Sequence, residues 1–278
     1  MATMMLMLPA ESAVDPSEET AIADRFRRIS AAIAAMRTET DRTLTLDELA
    51  EAASYSRFHF VRTFRDMVGT SPGTFQTALR FARASELLLT SSASITEICG
   101  EVGYSSLGTF SDRFRSLVGV SPSGLRELPH QIASLPSSGL DDPVRAVGPI
   151  GQIVRVAVPE TSPAGMSAYV GLYRDGVASG IPIAGAMTSR PGILELDGLA
   201  PGSYHLLAAA FPTPIHGLGH LLPGEQVQVS SSGRAIRVTG SRSAGVDQPP
   251  HRLRFRPIAP TDAPILTALP ALVLSRMA

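Results

Sequence analysis

Five arginines sit where their chemistry can be used together. Arg57, Arg62 and Arg65 fall in SRFHFVRTFRDMVGTSP (56–72), and Arg113 and Arg115 in SSLGTFSDRFRSLVGVSP (105–122). A guanidinium is planar, permanently charged and carries five donors, which suits it to phosphate or to guanine O6 and N7 together. Reading a duplex needs side chains at base edges, cations at phosphates and a scaffold that fixes both. On a helix over 57–68, Phe60, Phe64 and Val68 form one stripe, which leaves Arg57, Phe58, Val61 and Arg62 on the other side. Arg62 is the strongest base-reading candidate. Phe58 and Val61 suit thymine methyls, although an aromatic at position 58 reads equally as core. Arg65, Arg113 and Arg115 are phosphate candidates, with a solvated face as the competing reading. His59 reads as a phosphate or surface group.

A second constellation is His216-Gly-Leu-Gly-His220, with His205 upstream. Two histidines four apart share a metal if one helix face holds them. Pro214, Gly217 and Gly219 argue against a helix, so an ordered loop is expected, with no metal and no cofactor. There is no G-x-S-x-G elbow, no phosphate-cradling glycine loop and no framed carboxylate pair, so no enzyme is expected. The lone cysteine, Cys99, reads as a small core residue and excludes an intramolecular disulfide.

The elements that must position the arginines are written twice. Phe60, Phe64, Gly69 and Ser71-Pro72 reappear as Phe110, Phe114, Gly119 and Ser121-Pro122, and Tyr55-Ser56 as Tyr104-Ser105. The tyrosines are 49 apart (104 − 55) and the glycines 50 (119 − 69), so the second copy holds one extra residue, placed at the start of its second helix. Thr45 with Glu48, and Ser94 with Glu97, form capping boxes for the first helix of each copy. Ser56 and Ser105 cap the second helices, and Gly69 and Gly119 suit their left-handed ends. Ser71-Pro72 starts a helix to about residue 90, without Gly or Pro between 74 and 99. Residues 21–37 space Ile22, Phe26, Ile29, Ile33 and Met36 as an amphipathic helix. Its Arg25, Arg27 and Arg28 read as a solvated face, with phosphate contact as the alternative. Leu125 and Leu128 close the helical region, and Pro129 ends it.

The two linked units, with GYSS and FSDRFRSLVGVSP closing the second, resemble the DNA-binding domain of AraC/XylS-type transcription regulators over roughly residues 25–128. The resemblance implies a sequence-specific regulator that holds two helix-turn-helix units about one turn of duplex apart, roughly 34 Å. It assigns base reading to Phe58, Val61 and Arg62, and to Leu107, Gly108, Ser111 and Asp112 in the second unit, with Arg57 beside the first set. Ser56 and Ser105 join the arginines at phosphates. Asp112 departs from the arginine common there: an acid accepts from cytosine N4, or the second helix reads little.

The 278 residues are 44% hydrophobic and 18% charged, with net charge −1 and no lysine, so any nucleic-acid footprint is local rather than global. The start, MATMMLMLPA, lacks the basic flank of a signal peptide, and no apolar run is long enough to span a membrane. A cytoplasmic protein without membrane partners is expected. The expected architecture is a multidomain α + β chain: a disordered tail (1–20), an all-α double helix-turn-helix domain (21–128), a linker (129–148) and an all-β sandwich (149–278). Short alternating runs such as GQIVRVAV, SAYVGLYR, ILELDGL and SYHLLAAAF support the last. The segment LDGLAPGSYHLLAAAF resembles a hairpin of transthyretin-like and carboxypeptidase-regulatory-like sandwiches.

Regulators that resemble this chain carry their partner domains ahead of the DNA reader, and here the order is reversed. The strand-rich half is left open to a small-molecule effector, homodimerisation or contact with RNA polymerase. An apolar pocket inside the sandwich would favour sensing. Two alternatives stand beside the regulator: an effector-free monomeric activator, and a DNA-targeted enzyme or carbohydrate-binding module.

Overall fold

The computed structural model describes residues 16–133, 152–159, 166–212, 221–222, 224, 226–239 and 249–268. Its amino-terminal half is helical: α1 (Pro16–Thr38), α2 (Leu46–Ala52), α3 (Arg57–Val68), α4 (Pro72–Thr90), α5 (Ile95–Glu101), α6 (Leu107–Val118) and α7 (Pro122–Ala133). Both capping boxes form: the Thr45 hydroxyl accepts from Glu48 N and the Ser94 hydroxyl from Glu97 N, while each glutamate accepts from its cap backbone. Each satisfies two donors that a helix start otherwise leaves unpaired. Gly69 (φ 81°) and Gly119 (φ 94°) end α3 and α6 in the left-handed region, where a side chain is strained.

Two helical cores result, and α4 serves both. Phe75 and Leu79, early in α4, pack with Ile29, Ile33, Leu49, Phe60 and Phe64. Phe81, Ala84, Leu87 and Leu88, later in α4, pack with Ile98, Cys99, Phe110, Phe114, Leu125 and Leu128. One uninterrupted rod therefore ties the repeats together.

Several expectations need correction. The helix expected from residue 21 begins at Pro16, so 16–20 are not a disordered tail; Glu18 and Glu19 lie in its first turn, where carboxylates favour a helix start. Residues 1–15 lie outside the described part. Ile22 and Phe26 are exposed, while Ile29, Ile33 and Met36 are buried. Pro129 does not end the helical region, because α7 runs through it to Ala133. Buried Leu125 and Leu128 hold the turn before the proline, and packing carries the helix one turn further. The rest of the expected linker, 134–148, lies outside the described residues. The extra residue of the second copy belongs to the turn before α6, since α3 and α6 are both 12 residues long. The cap is accordingly Ser106, whose hydroxyl accepts from Thr109 N, and not Ser105.

The second half is strand-rich: β1 (Gln152–Val158), β2 (Met166–Tyr173), β3 (Ala184–Thr188), β4 (Gly192–Leu199), β5 (Gly202–Pro212), β6 (Gln228–Ser231), β7 (Ile236–Val238), β8 (His251–Arg252) and β9 (Arg256–Pro257). One sheet has the order β4-β1-β8 and the other β3-β2-β5-β6-β9, with β7 on β5. Apolar residues of both sheets, among them Val154, Val156, Leu172, Leu196, Leu206 and Ala210, join in one core. The expected hairpin at 196–211 does not form. The Ala200-Pro201 turn carries the chain from one sheet to the other, with β4 on β1 and β5 on β2. Buried Tyr204 pins that corner by donating to Ala200 O (2.8 Å). Strand β3 was missed because AGAMT is small and buried along most of its length, so it shows no alternation.

The halves touch. Thr70 donates to Asp175 Oδ1 (2.7 Å), Gly180 N to Leu117 O, Ala268 N to Val118 O (2.9 Å), and Arg37 to Pro260 O (3.0 Å). No helix among the described residues is long and apolar enough to cross a membrane.

Candidate nucleic-acid interface

Each reading candidate sits on a helix that a tight turn aims. In the first unit the turn uses Ser54 at φ 53°; in the second, Gly103 at φ 73°. Ser54 is exposed, whereas a Cβ on Gly103 would strike the Asp41 carbonyl, so only glycine serves there. An arginine covers each turn tyrosine: Arg28 over Tyr55 (5.2 Å to the ring centroid) and Arg80 over Tyr104 (4.5 Å). Arg28 also donates to Ser54 O (2.9 Å) and Asp24 (2.7 Å), so it anchors a turn instead of forming a free solvated face. Arg80 was not anticipated. It is buried and donates to Val102 O (2.8 Å) and Thr43 Oγ1 (2.6 Å), joining α4 to both units. Its helical position among apolar neighbours is the sole sequence signal of that role.

From these turns α3 and α6 project their first residues to solvent. Arg57, Phe58, Arg62 and Arg65 are exposed and Val61 is partly so. Phe58 is 81% exposed, which removes the core reading of this residue. The Arg62 side chain is 76% exposed, 4.0 Å from Asp66, and Arg57 lies 3.9 Å from Asp47. Exposed pairs of this length hold their partners by about 0–1 kcal/mol, so either guanidinium exchanges readily for a phosphate or base. On α6, Leu107, Gly108, Asp112, Arg113 and Arg115 are exposed and Ser111 is partly so. Ser56 and Ser105 are exposed beside the helix starts, and Ser56 makes no side-chain cap. The His59 ring packs at a tilt against Tyr55 (4.5 Å between centroids, 44° between planes).

The opposite ends of the two helices share one support. Thr70, just past α3, bonds Asp175, and Leu117 near the end of α6 accepts from Gly180. Five peptide steps from 175 to 180 span at most about 18 Å. The carboxyl ends of both helices therefore lie on one short loop of the strand-rich half, while the exposed arginines are spread along them, from Arg57 at the start of α3 to Arg65 and Arg115 in the last turns.

Cys99 is buried, and burial pushes its thiol above the usual range; its Sγ donates to Tyr104 O (3.4 Å). His216 and His220 lie outside the described residues, and no group of three metal-ligating side chains occurs among those described.

Residues 49–128 match the model of a helix-turn-helix domain family, of the AraC/XylS type. The chain is 36% identical over 101 residues to an uncharacterized HTH-type transcriptional regulator of Haemophilus influenzae, covering 36% of this chain and 34% of that protein. It is 31% identical over 80 residues to the HTH-type transcriptional activator AarP of Providencia stuartii, covering 29% and 59%. It is similar to a solved AraC-type transcriptional regulator from Chromobacterium violaceum, at 29% identity and TM-score 0.37, covering 41% of this chain and 99% of that one. It is also similar to the DNA-binding domain of AdpA in complex with a target DNA, at 28% identity and TM-score 0.36, covering 38% and 95%. The chain thus spans between a third and three-fifths of the length of these two curated relatives.

Proposed function

We propose that the chain is a sequence-specific DNA-binding transcription regulator. Its helical half acts as a double helix-turn-helix reader, and its strand-rich half as a two-sheet sandwich that braces the reader from behind. The observation that carries this is the shared polarity of α3 and α6: exposed amino-terminal halves bearing Arg57, Phe58 and Arg62 on one and Leu107 and Asp112 on the other, with both carboxyl ends seated on residues 175–180. Arg62 takes guanine O6 and N7, Phe58 and Val61 meet thymine methyls, and Arg65, Arg113 and Arg115 pair with phosphates, with Ser56 and Ser105 beside them. Asp112 accepts from cytosine N4 where it reads at all. Kinship to regulators and activators supports the same reading.

Selection of bound duplexes from a random pool tests it. The expected result is an asymmetric site of two segments about one helical turn apart. Recovery of no enriched sequence would end the proposal.

A further inference from the structure

A cavity of about 280 Å³ opens between the end of α3 and the outer face of the larger sheet. Its floor is Leu207, Ala209 and Val229, its wall Met67 and Val68, and its rim Ile181, which is 65% exposed. Gly171 pairs across β2 and β3 with Gly185, and the space that their side chains would take is occupied by Pro182 and the Tyr173 ring, which join the lining. Beside the tyrosines, the ionisable lining residues are His205, Arg256 and Asp262, and the last two satisfy one another in a two-pronged pair (2.6 Å each), with Asp262 also accepting from Ala259 N.

We infer that this cavity binds an uncharged, mainly apolar small molecule. An ionised ligand would have to break the Arg256–Asp262 pair or rely on His205 and the hydroxyls of Ser230 and Thr261 while lying against leucine, valine and methionine, which is costly. An apolar one gains the transfer free energy of the surface it buries. The size is close to that of small-molecule sites, and the mixed origin of the walls is typical of sites between domains. The site is not inside the sandwich, where a pocket would have favoured sensing, but between the sheet and the reader. It deepens the regulator reading and rests on it for its purpose, while binding itself needs no DNA.

The test titrates the full chain with N-phenyl-1-naphthylamine, an uncharged fluorophore that brightens in apolar surroundings. One saturable site per chain is expected. Ala209→Phe, which fills the floor, and Ile181→Asp, which sets a charge on the exposed rim, should each weaken it about tenfold or more. Unsaturable binding, or equal binding by a folded Ile181→Asp protein, would overturn the inference. So would a chain that sediments as a dimer, excludes the probe and dissociates in Ile181→Asp, because a second copy would then own the cavity. Duplex titrations on the same samples separate the two readings. Lost probe binding with intact duplex binding removes the cavity alone; intact probe binding without duplex binding removes the regulator alone.

Discussion

The guanidinium of Arg80 lies 4.5 Å from the centre of the Tyr104 ring while its nitrogens hold Val102 O and Thr43 Oγ1. One side chain on the connecting helix therefore closes the turn of the second unit and the approach to the first. Replacing it with methionine keeps much of the aliphatic bulk and strands a buried carbonyl. Arg80→Met should cost about 2–3 kcal/mol, read as a lower urea midpoint with unchanged slope. Lysine should not restore it, since it lacks the planar fork. The half-exposed counterpart on Tyr55 is the control: Arg28→Met should cost under about 1 kcal/mol. Equal losses would mean that the buried tie is not special.

Arg62 and Arg65 are both exposed on α3 but are assigned different work. Arg62→Ala should lose about 1–3 kcal/mol on the selected duplex at one base position and little on random duplex. Arg65→Ala should weaken both alike and reduce the salt slope by about one. Competition titrations at several salt concentrations distinguish the two, and a uniform loss for Arg62→Ala would make it another phosphate contact.

Much of the helical half was legible because its signals are local. Capping boxes, left-handed glycines and phenylalanines four apart are statements about one turn of chain, and Thr45, Ser94, Gly69 and Gly119 do what their types dictate. What failed there depended on distance in sequence. Packing of Leu128 carries a helix past Pro129, and the role of Arg80 needs Thr43 and Val102 from elsewhere. The strand-rich half was less legible for the same reason. Register and sheet membership come from non-local pairing, so β4 and β5 look like a hairpin until each finds a different neighbour. The cavity was not legible at all, since its lining joins Met67 and Val68 of α3 to Leu207, Val229 and Ile265, far apart in the chain.

Asp112 occupies on α6 the place that Arg62 takes on α3 (62 + 50 = 112) and is exposed there. An acid facing a duplex repels phosphates, so Asp112→Arg should tighten binding to random duplex and steepen the salt slope by about one. If Asp112 reads cytosine, Asp112→Asn should also lose preference at one position of the second segment, by about 1–3 kcal/mol. Selection with each variant reads both effects. An unchanged pool for both would mean that α6 contributes orientation alone.

The capping boxes give the helical half an acid dependence. Hydrogen bonds from Thr45, backbone first, and the bond from Arg42 pull the Glu48 carboxyl down to about 2 from 4.5. The Ser94 backbone and hydroxyl pull Glu97 down as well. Both folded values lie below the unfolded one, so the stabilisation is complete above pH 4.5 and fades as pH falls toward 2. Glu48→Gln with Glu97→Gln should lower the melting temperature at neutral pH and flatten its fall through this window. Circular dichroism at the helical signal checks it. A double variant with the same acid profile as the parent would place the dependence elsewhere.

The loop at 175–180 should act on spacing rather than on affinity alone. A Cβ on Gly176 would meet the backbone carbonyl of Gly69, which cannot swing aside as a side chain would. Gly176→Val should therefore push the strand-rich half off the end of α3 while leaving the Gly180–Leu117 contact on α6. Hydrogen exchange should quicken in the turn after α3 and not after α6. Because α4 still links the two units, duplex binding should survive. Discrimination should not: a base pair inserted between the two segments ought to penalise the parent more than the variant, since one of two ties on helix separation is gone. If both proteins suffer the same penalty, α4 alone sets the spacing and the loop merely covers the ends of the reading helices.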